Sequence, residues 1–332
     1  MKADVNVKLQ RGFVLVSTIW LTLIMFVLAG FLSVYANSQL EAALVSNARI
    51  KDNMDRLSLE QTLLFLLSTR KANRDGYLVS DSLVEDEDEI IRLDGTLYIG
   101  PGETFYAVND SSGLIGVNAA NSYHLINLLI EMESSGLRRE ALVNALQDYI
   151  DDDNRPRING KEAPAYRVEK LREPANEYLS TVEEIHFVFG WRDWLDSNSE
   201  FNLNWLSTNW RSRININAVP EALLTRLLPI GLEEQELLIQ RRKVKPFKSV
   251  SDLYEVLDLR ANLDDDYFTF LPSQEIRIQI FSAHSSAVTT MLVRFTPQSV
   301  QEPWVVNHRY QLEHREDFSR AVGAVAGKYF DR

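Results

Sequence analysis

The sequence predicts an α+β fold: a long N-terminal transmembrane and stem helix, then a β-sheet domain split by a large all-α insertion. Three observations predict it. No charged side chain occurs from Gly12 to Leu40. Apolar residues recur at helical spacing between about 120 and 260, and at a period of two after Pro272. Two short strand-like segments precede the helical block, so strands flank it on both sides. The 332 residues suggest about two domains, or one with an insertion. The absence of cysteine excludes a disulfide framework, a thiol nucleophile and thiolate zinc sites. A net charge of −12 argues against a general nucleic-acid binder, which carries a basic field.

The first element is the membrane helix, residues 13–36. About 20 apolar residues span a bilayer, and this run is long enough. Lys2, Lys8 and Arg11 precede it with only Asp4 opposing, which places the amino end in the cytoplasm. A secretory signal has an apolar region of roughly 7–15 residues, so the run is too long for one ending at Val34-Tyr35-Ala36. A plain single-pass anchor is the alternative. Arg11-Gly12-Phe13, by contrast, sets a glycine and a phenylalanine at the start of the run. This resembles the leader of type IV prepilins and type II secretion pseudopilins. The resemblance implies a 1–12 leader, cleavage by prepilin peptidase between Gly12 and Phe13, and N-methylation of Phe13. Most pilins carry Glu at the fifth mature position, where this chain has Ser17. In that family the carboxylate pairs with a neighbouring subunit's terminal ammonium, and a charge in lipid is costly unpaired. A subunit with no neighbour above it gains nothing from the Glu, so Ser17 fits a tip position.

Residues 40–70 hold no Gly or Pro and keep helical spacing through Leu40, Ala43, Leu44, Leu57, Leu64 and Phe65. One helix is expected from 13 to about 71, broken by Asp75-Gly76. The like-charge run Glu85–Glu89 reads as a solvated loop. Leu97–Ile99 and Thr104–Val108 read as strands around Gly100-Pro101-Gly102. Helices follow from His124 towards Gly136, and from Arg138 to Ile150. Thr181-Val182-Glu183-Glu184 has the capping-box pattern, opening a helix through Phe189 that Gly190 stops. Pro220–Leu228, Glu233–Arg242 and Ser251–Leu257 complete the block. Glu275–Ile280 alternates cleanly, Val288–Phe295 follows a turn at His284-Ser285-Ser286, and Trp304–Tyr310 adds a strand. The expected division is 37–118 with 262–311 for the sheet domain, 119–261 for the insertion and 312–332 for a tail.

Three soluble motifs converge on one family. They are Asp110-Ser111-Ser112-Gly113 through Asn118, Gln147–Asp153 running into Arg155-Pro156 and Asn159-Gly160-Lys161-Glu162, and Ile214-Asn215-Ile216-Asn217-Ala218. Behind a Gly-Phe leader lacking the Glu, over roughly residues 11–295, the chain resembles the K-type minor pseudopilin of the type II secretion system. The resemblance implies a pseudopilin domain with a sterile-alpha-motif-like helical insertion. It also implies a minor pseudopilin that caps the pseudopilus tip and helps initiate assembly for protein export. The implied partners are the I- and J-type minor pseudopilins, the major pseudopilin and prepilin peptidase. The implied location is the bacterial inner membrane, single-pass, with the C-terminal domain in the periplasm.

The motifs also have plain physical readings. Gly113 is expected in a left-handed turn whose backbone N–H groups bond Asp110. Asn215 and Asn217 alternate with Ile214 and Ile216, so both amides share a face and can clamp adjacent backbone. Asp148, Asp151, Asp152 and Asp153 sit at a helix end where anions are disfavoured, and need compensation from Arg155, Arg157 or Lys161. The sharper reading is calcium, held by Asp151, Asp153 and Glu162, since calcium takes 6–8 oxygens from flexible loops. It is not an EF-hand, because Arg155 and Pro156 stand where a ligand and a glycine belong. No other cofactor is expected.

Residues 214–257 also resemble a helix-hairpin-helix unit, with Arg241, Arg242, Lys243, Lys245 and Lys248 as a basic patch. Extracytoplasmic DNA binding, or a type IV pilus minor subunit, is therefore the alternative function. The hairpin has one glycine where two are usual, and the acidic chain repels DNA, so no nucleic-acid partner is expected. No nucleophile elbow, P-loop or metal-ligand His pair is present, and the histidines at 124, 186, 284, 308 and 314 are scattered. Ser68-Thr69-Arg70-Lys71 matches a Ser-x-x-Lys spacing that two residues reach by chance. No enzyme is expected.

Overall fold

The computed structural model describes residues 11–79, 90–119, 123–228, 230–257, 265–283, 285–313 and 325–326. The leader up to Gln10, the Glu85–Glu89 run, Pro229, His284, His314 and most of the tail lie outside the described residues. The chain divides into two compact units, Met1–Asp55 and Arg56–Arg332.

The first helix, α1 (Arg11–Thr69), belongs to both units. Within the first unit every described side chain from Val14 to Lys51 is exposed. Among the described residues this is the one helix long and apolar enough to cross a membrane. In its apolar stretch the Ser17 hydroxyl donates to Val14 O at 2.9 Å and Thr18 to Leu15 O at 2.9 Å. Hydrocarbon demands such internal pairing.

In the second unit the last turns of α1 bury Leu59, Leu63, Leu64, Leu66 and Leu67, an amphipathic face at helical spacing. β1 (Gly76–Leu78) and β2 (Ile90–Arg92) pair as a small ribbon. β3 (Asp94–Ile99) and β4 (Thr104–Asp110) follow, the two strands expected around Gly100. Then comes the insertion: β5 (Ile115–Gly116), α2 (Tyr123–Met132), α3 (Gly136–Ile150), α4 (Ala163–Val168), α5 (Trp191–Ser197), β6 (Leu206–Ser207), β7 (Ile214–Asn215), α6 (Glu221–Leu227), α7 (Leu232–Val244), α8 (Val250–Val256) and β8 (Phe268–Thr269). The chain returns to the sheet with β9 (Glu275–Ser282), β10 (Ser285–Phe295), β11 (Trp304–Glu313) and β12 (Val325–Ala326).

The main sheet has six strands in the order β11-β10-β9-β4-β3-β12. Its pairs are antiparallel except β12 on β3. β4 and β9, which bracket the insertion, are direct neighbours in register from Thr104↔Ser282 to Asp110↔Ile276. The alternation of β9 sets its faces. Ile276, Ile278 and Ile280 join the α1 leucines, Tyr106, Val108, Met291, Val293 and Phe295 in one core. The insertion has its own core, built on Leu142, Tyr149, Tyr166, Trp191, Trp194, Leu223, Leu224, Leu238 and Phe247.

Several local expectations change. The Thr181 capping box forms, with Glu184 Oε1 accepting from Thr181 N at 3.1 Å, but it opens a 3-10 helix, Val182–Phe187. Gly190, at φ 80°, begins α5 rather than stopping a helix. Gly113 has no positive φ; a Cβ there would collide with the Ala218 carbonyl, so close approach rather than handedness requires the glycine. Ser285 and Ser286, expected in the β9–β10 turn, are already in β10.

Candidate cation site and the clasp of the insertion

The insertion is fastened where it leaves and re-enters the sheet. Asp110, the last residue of β4, is fully buried and accepts five hydrogen bonds. Ser112 contributes N at 3.0 Å and Oγ at 2.5 Å. Asn215 Nδ2 donates at 3.0 Å, and Ser273, just before β9, contributes N at 3.2 Å and Oγ at 2.6 Å. One carboxylate thus ties both ends of the insertion and its Ile214–Ala218 motif. Asn217 extends the clamp: its amide donates to Phe247 O at 2.9 Å and accepts from Phe247 N at 2.8 Å. Sequence reasoning missed Ser273 and Arg277. The Arg277 guanidinium, on the β9 face away from α1, donates to Asn204 O at 2.6 Å and Leu206 O at 3.2 Å. Burial lowers it to about 10. Its place at a polar position of an alternating strand was the available signal, but alternation alone does not say which face is covered.

The acidic loop after α3 is organised by Arg157. Asp148, fully buried, accepts from Arg157 Nη1 at 2.9 Å and from Arg157 N at 3.2 Å. The same guanidinium pairs with Asp151, the C-cap of α3. Of the three expected compensating cations only Arg157 pairs with these carboxylates; Lys161 lies 5.7 Å from the Phe189 ring centroid instead. Gly160 is required here, because a Cβ would collide with the Asp148 carboxylate.

Asp151, Asp153 and Glu162 come together, each offering a carboxylate oxygen within 4.8 Å of the others. Asp151 is half-buried, Asp153 exposed and Glu162 only 3% exposed. Glu162 occupies the N-cap position of α4 but does not cap it. Neither of its oxygens makes a well-formed hydrogen bond, and Asp151 Oδ1 is also orphaned. Buried acceptors left unsatisfied are costly, so the arrangement fits a bound cation. The all-carboxylate donor set suits calcium rather than zinc or copper, and other oxygens would complete its shell. Burial pushes the Glu162 carboxyl up to about 7, with the charges of Asp148, Asp151 and Asp153 adding and the Ala163 N–H opposing.

A pH dependence follows. Unfolded Glu162 releases its proton in the ordinary carboxylate range, while folded Glu162 keeps it to about 7. Between those values the native state binds more protons, so stability falls as pH rises. In chelator the thermal midpoint should drop across that window, and Glu162→Gln should flatten the drop. Added calcium should raise the midpoint above pH 7, more than magnesium does. Differential scanning calorimetry across pH checks this.

Gly12 and Phe13 fall in the first turn of α1, so the backbone is helical across the expected cleavage point. The basic patch is not assembled as expected. Arg242 is buried, donating to Val219 O at 2.6 Å and Ile216 O at 3.1 Å beside Asp94. Lys243 pairs with Glu221 at 2.8 Å. Arg242 therefore clamps the loop before α6 and is withdrawn from any phosphate.

The family model described as type II secretion system (T2SS), protein K matches residues 107–196. That span runs from β4 through the Asp110 motif and the acidic loop into α5. No curated protein matches the sequence. Among solved structures, a chain of the GspK-GspI-GspJ complex from the enterotoxigenic Escherichia coli type 2 secretion system shares the fold. The TM-score is 0.52 at 18% identity, covering 84% of this chain and 99% of that chain. The matched domain and the shared fold bear out the resemblance that the sequence motifs carry, to the K-type minor pseudopilins of the type II secretion system.

Proposed function

We propose that this chain caps the tip of a type II secretion pseudopilus and helps initiate its assembly for protein export across the outer membrane. The carrying observation is the helical insertion, which enters the sheet between two hydrogen-bonded neighbours, β4 and β9. A block of that bulk on every subunit would clash with the next subunit along a fibre, whereas at the end it meets nothing. Ser17 in place of the pilin Glu supports the same position. The stem from Phe13 to the end of α1 packs on partner stems by small and aliphatic contacts such as Ala29 and Gly30. The I- and J-type minor pseudopilins are the immediate partners, as the composition of the similar complex suggests. The major pseudopilin forms the shaft below. Prepilin peptidase cuts between Gly12 and Phe13 and methylates Phe13. The chain is anchored once in the inner membrane, with its larger unit in the periplasm. Asp151, Asp153 and Glu162 hold calcium, which relieves the orphaned carboxylate oxygens and fixes the loop between α3 and α4. The role is structural rather than enzymatic.

The test is co-purification of the tagged full chain from membranes expressing the I- and J-type minor pseudopilins and prepilin peptidase. A complex containing both partners, with a mature terminus at N-methyl-Phe13 by mass spectrometry, is the expected result. Gly12→Leu should leave the leader attached. Recovery of neither partner sinks the tip assignment, and an intact Met1 in the unmutated chain sinks the processing pathway.

A further inference from the structure

A cleft of about 560 Å³ lies between the end of α4 and the segment entering α5, within the roughly 300–1,000 Å³ range of ligand sites. Lys170, Arg172, His186 and Arg192 line it, with Phe187 and Phe189 between them. On a chain of net charge −12 this is a local reversal of sign. Among the described residues Lys170, Arg172 and Arg192 have no ion-pair partner; the neighbouring Arg167 pairs with Glu173. The Arg172 guanidinium lies 5.7 Å from the Phe187 ring centroid, which leaves its donors to a ligand.

Lys170 supplies an independent sign. The α4 helix ends in a Schellman motif, with Leu171 N bonding Tyr166 O at 2.9 Å and Lys170 N bonding Arg167 O at 3.2 Å. Lys170 therefore occupies the C′ position, at φ 56°, where glycine is the unstrained choice. The lysine there carries backbone strain, and its side chain lines the cleft.

We propose that this cleft binds an acidic peptide segment of a partner protein. Its carboxylates meet Lys170, Arg172 and Arg192, and an apolar side chain lies against Phe187 and Phe189. Glu169 and Asp193 also line the cleft. They repel the dense charge of a polyphosphate backbone but accept peptide N–H groups, which favours a peptide over nucleic acid.

The probe is a fluorescein-labelled pentapeptide, Glu-Phe-Asp-Leu-Glu with a blocked C-terminus, titrated onto the full chain in detergent by fluorescence polarisation. Saturable binding that weakens with salt is expected. Lys170→Gly should weaken it about tenfold while the thermal midpoint stays level or rises, because glycine relieves the strain. Arg172→Ala should weaken it similarly. Equal binding of the Gln-Phe-Asn-Leu-Gln analogue, unchanged affinity in Lys170→Gly, or full displacement by inorganic phosphate or duplex DNA would overturn the proposal. Absence of saturable binding would do the same.

Discussion

Asp110→Ala is expected to lower the unfolding free energy by about 3–5 kcal/mol, the cost of removing one member of a buried charged network. The side chain is fully buried, and its loss leaves the N–H of Ser112, the N–H of Ser273 and the Asn215 amide without their acceptor at once. Those donors come from the end of β4, the Ile214–Ala218 motif and the entry to β9, so the damage falls on the joint between the two cores. Asp110→Asn keeps the shape but turns an amide nitrogen towards donors, and should recover less than half of the loss. Equilibrium denaturation with urea measures both. A loss under about 1 kcal/mol for the alanine variant, the scale of one neutral hydrogen bond, would show that the clasp contributes little.

Trp191→Ala should cost a similar amount, about 3–5 kcal/mol, through a different mechanism. Trp191 is wholly buried in the insertion core, edge-on to Trp194 at 5.6 Å and to Phe201 at 6.5 Å, and its indole N–H donates to Leu142 O at 2.8 Å. Alanine leaves a cavity and breaks an aromatic cluster that continues through Phe201 to Trp205. The loss should centre on the insertion. Amide exchange should speed up there, in α3 and α5, while β9 and β10 keep their protection. Equal loss of protection in both cores would show that they unfold as one unit.

Much of this architecture was legible from patterning. The stem helix, expected from 13 to about 71, runs Arg11–Thr69, because a long stretch without glycine or proline leaves little else to form. The alternation at Glu275–Ile280 marked β9, and its isoleucines face α1 as a period of two requires. The helix after Ser135 begins two residues before its expected start at Arg138, with Ser135 as N-cap. α4 and α5, six and seven residues long, were not read from the sequence; the equally short α6 and α8 were, so length alone does not separate them. Strands β5 to β8 are two-residue parallel pairs between distant segments, and no local pattern encodes such contacts. The acidic loop was legible as a candidate cation site because oxygen-rich loops are visible in sequence. Glu162's burial was not, since burial comes from tertiary packing that no local pattern encodes. Gly113 shows the same limit: its need for glycine comes from Ala218, far away in the chain.

The pairing of β4 with β9 has a consequence for how the chain acquires its structure. As the polypeptide is made, β4 emerges long before its partner, and the whole insertion must be synthesised before the sheet can close. Closing so distant a pair by random search is slow, and an unpaired strand left waiting is prone to aggregate. The insertion's separate core removes much of this difficulty, because a folded block brings Asp110 and Ser273 close together and leaves only a short gap to close. The order of events should then be insertion first and sheet second. Variants that weaken the insertion would slow closure of the sheet, and those in β9 would leave a folded insertion behind.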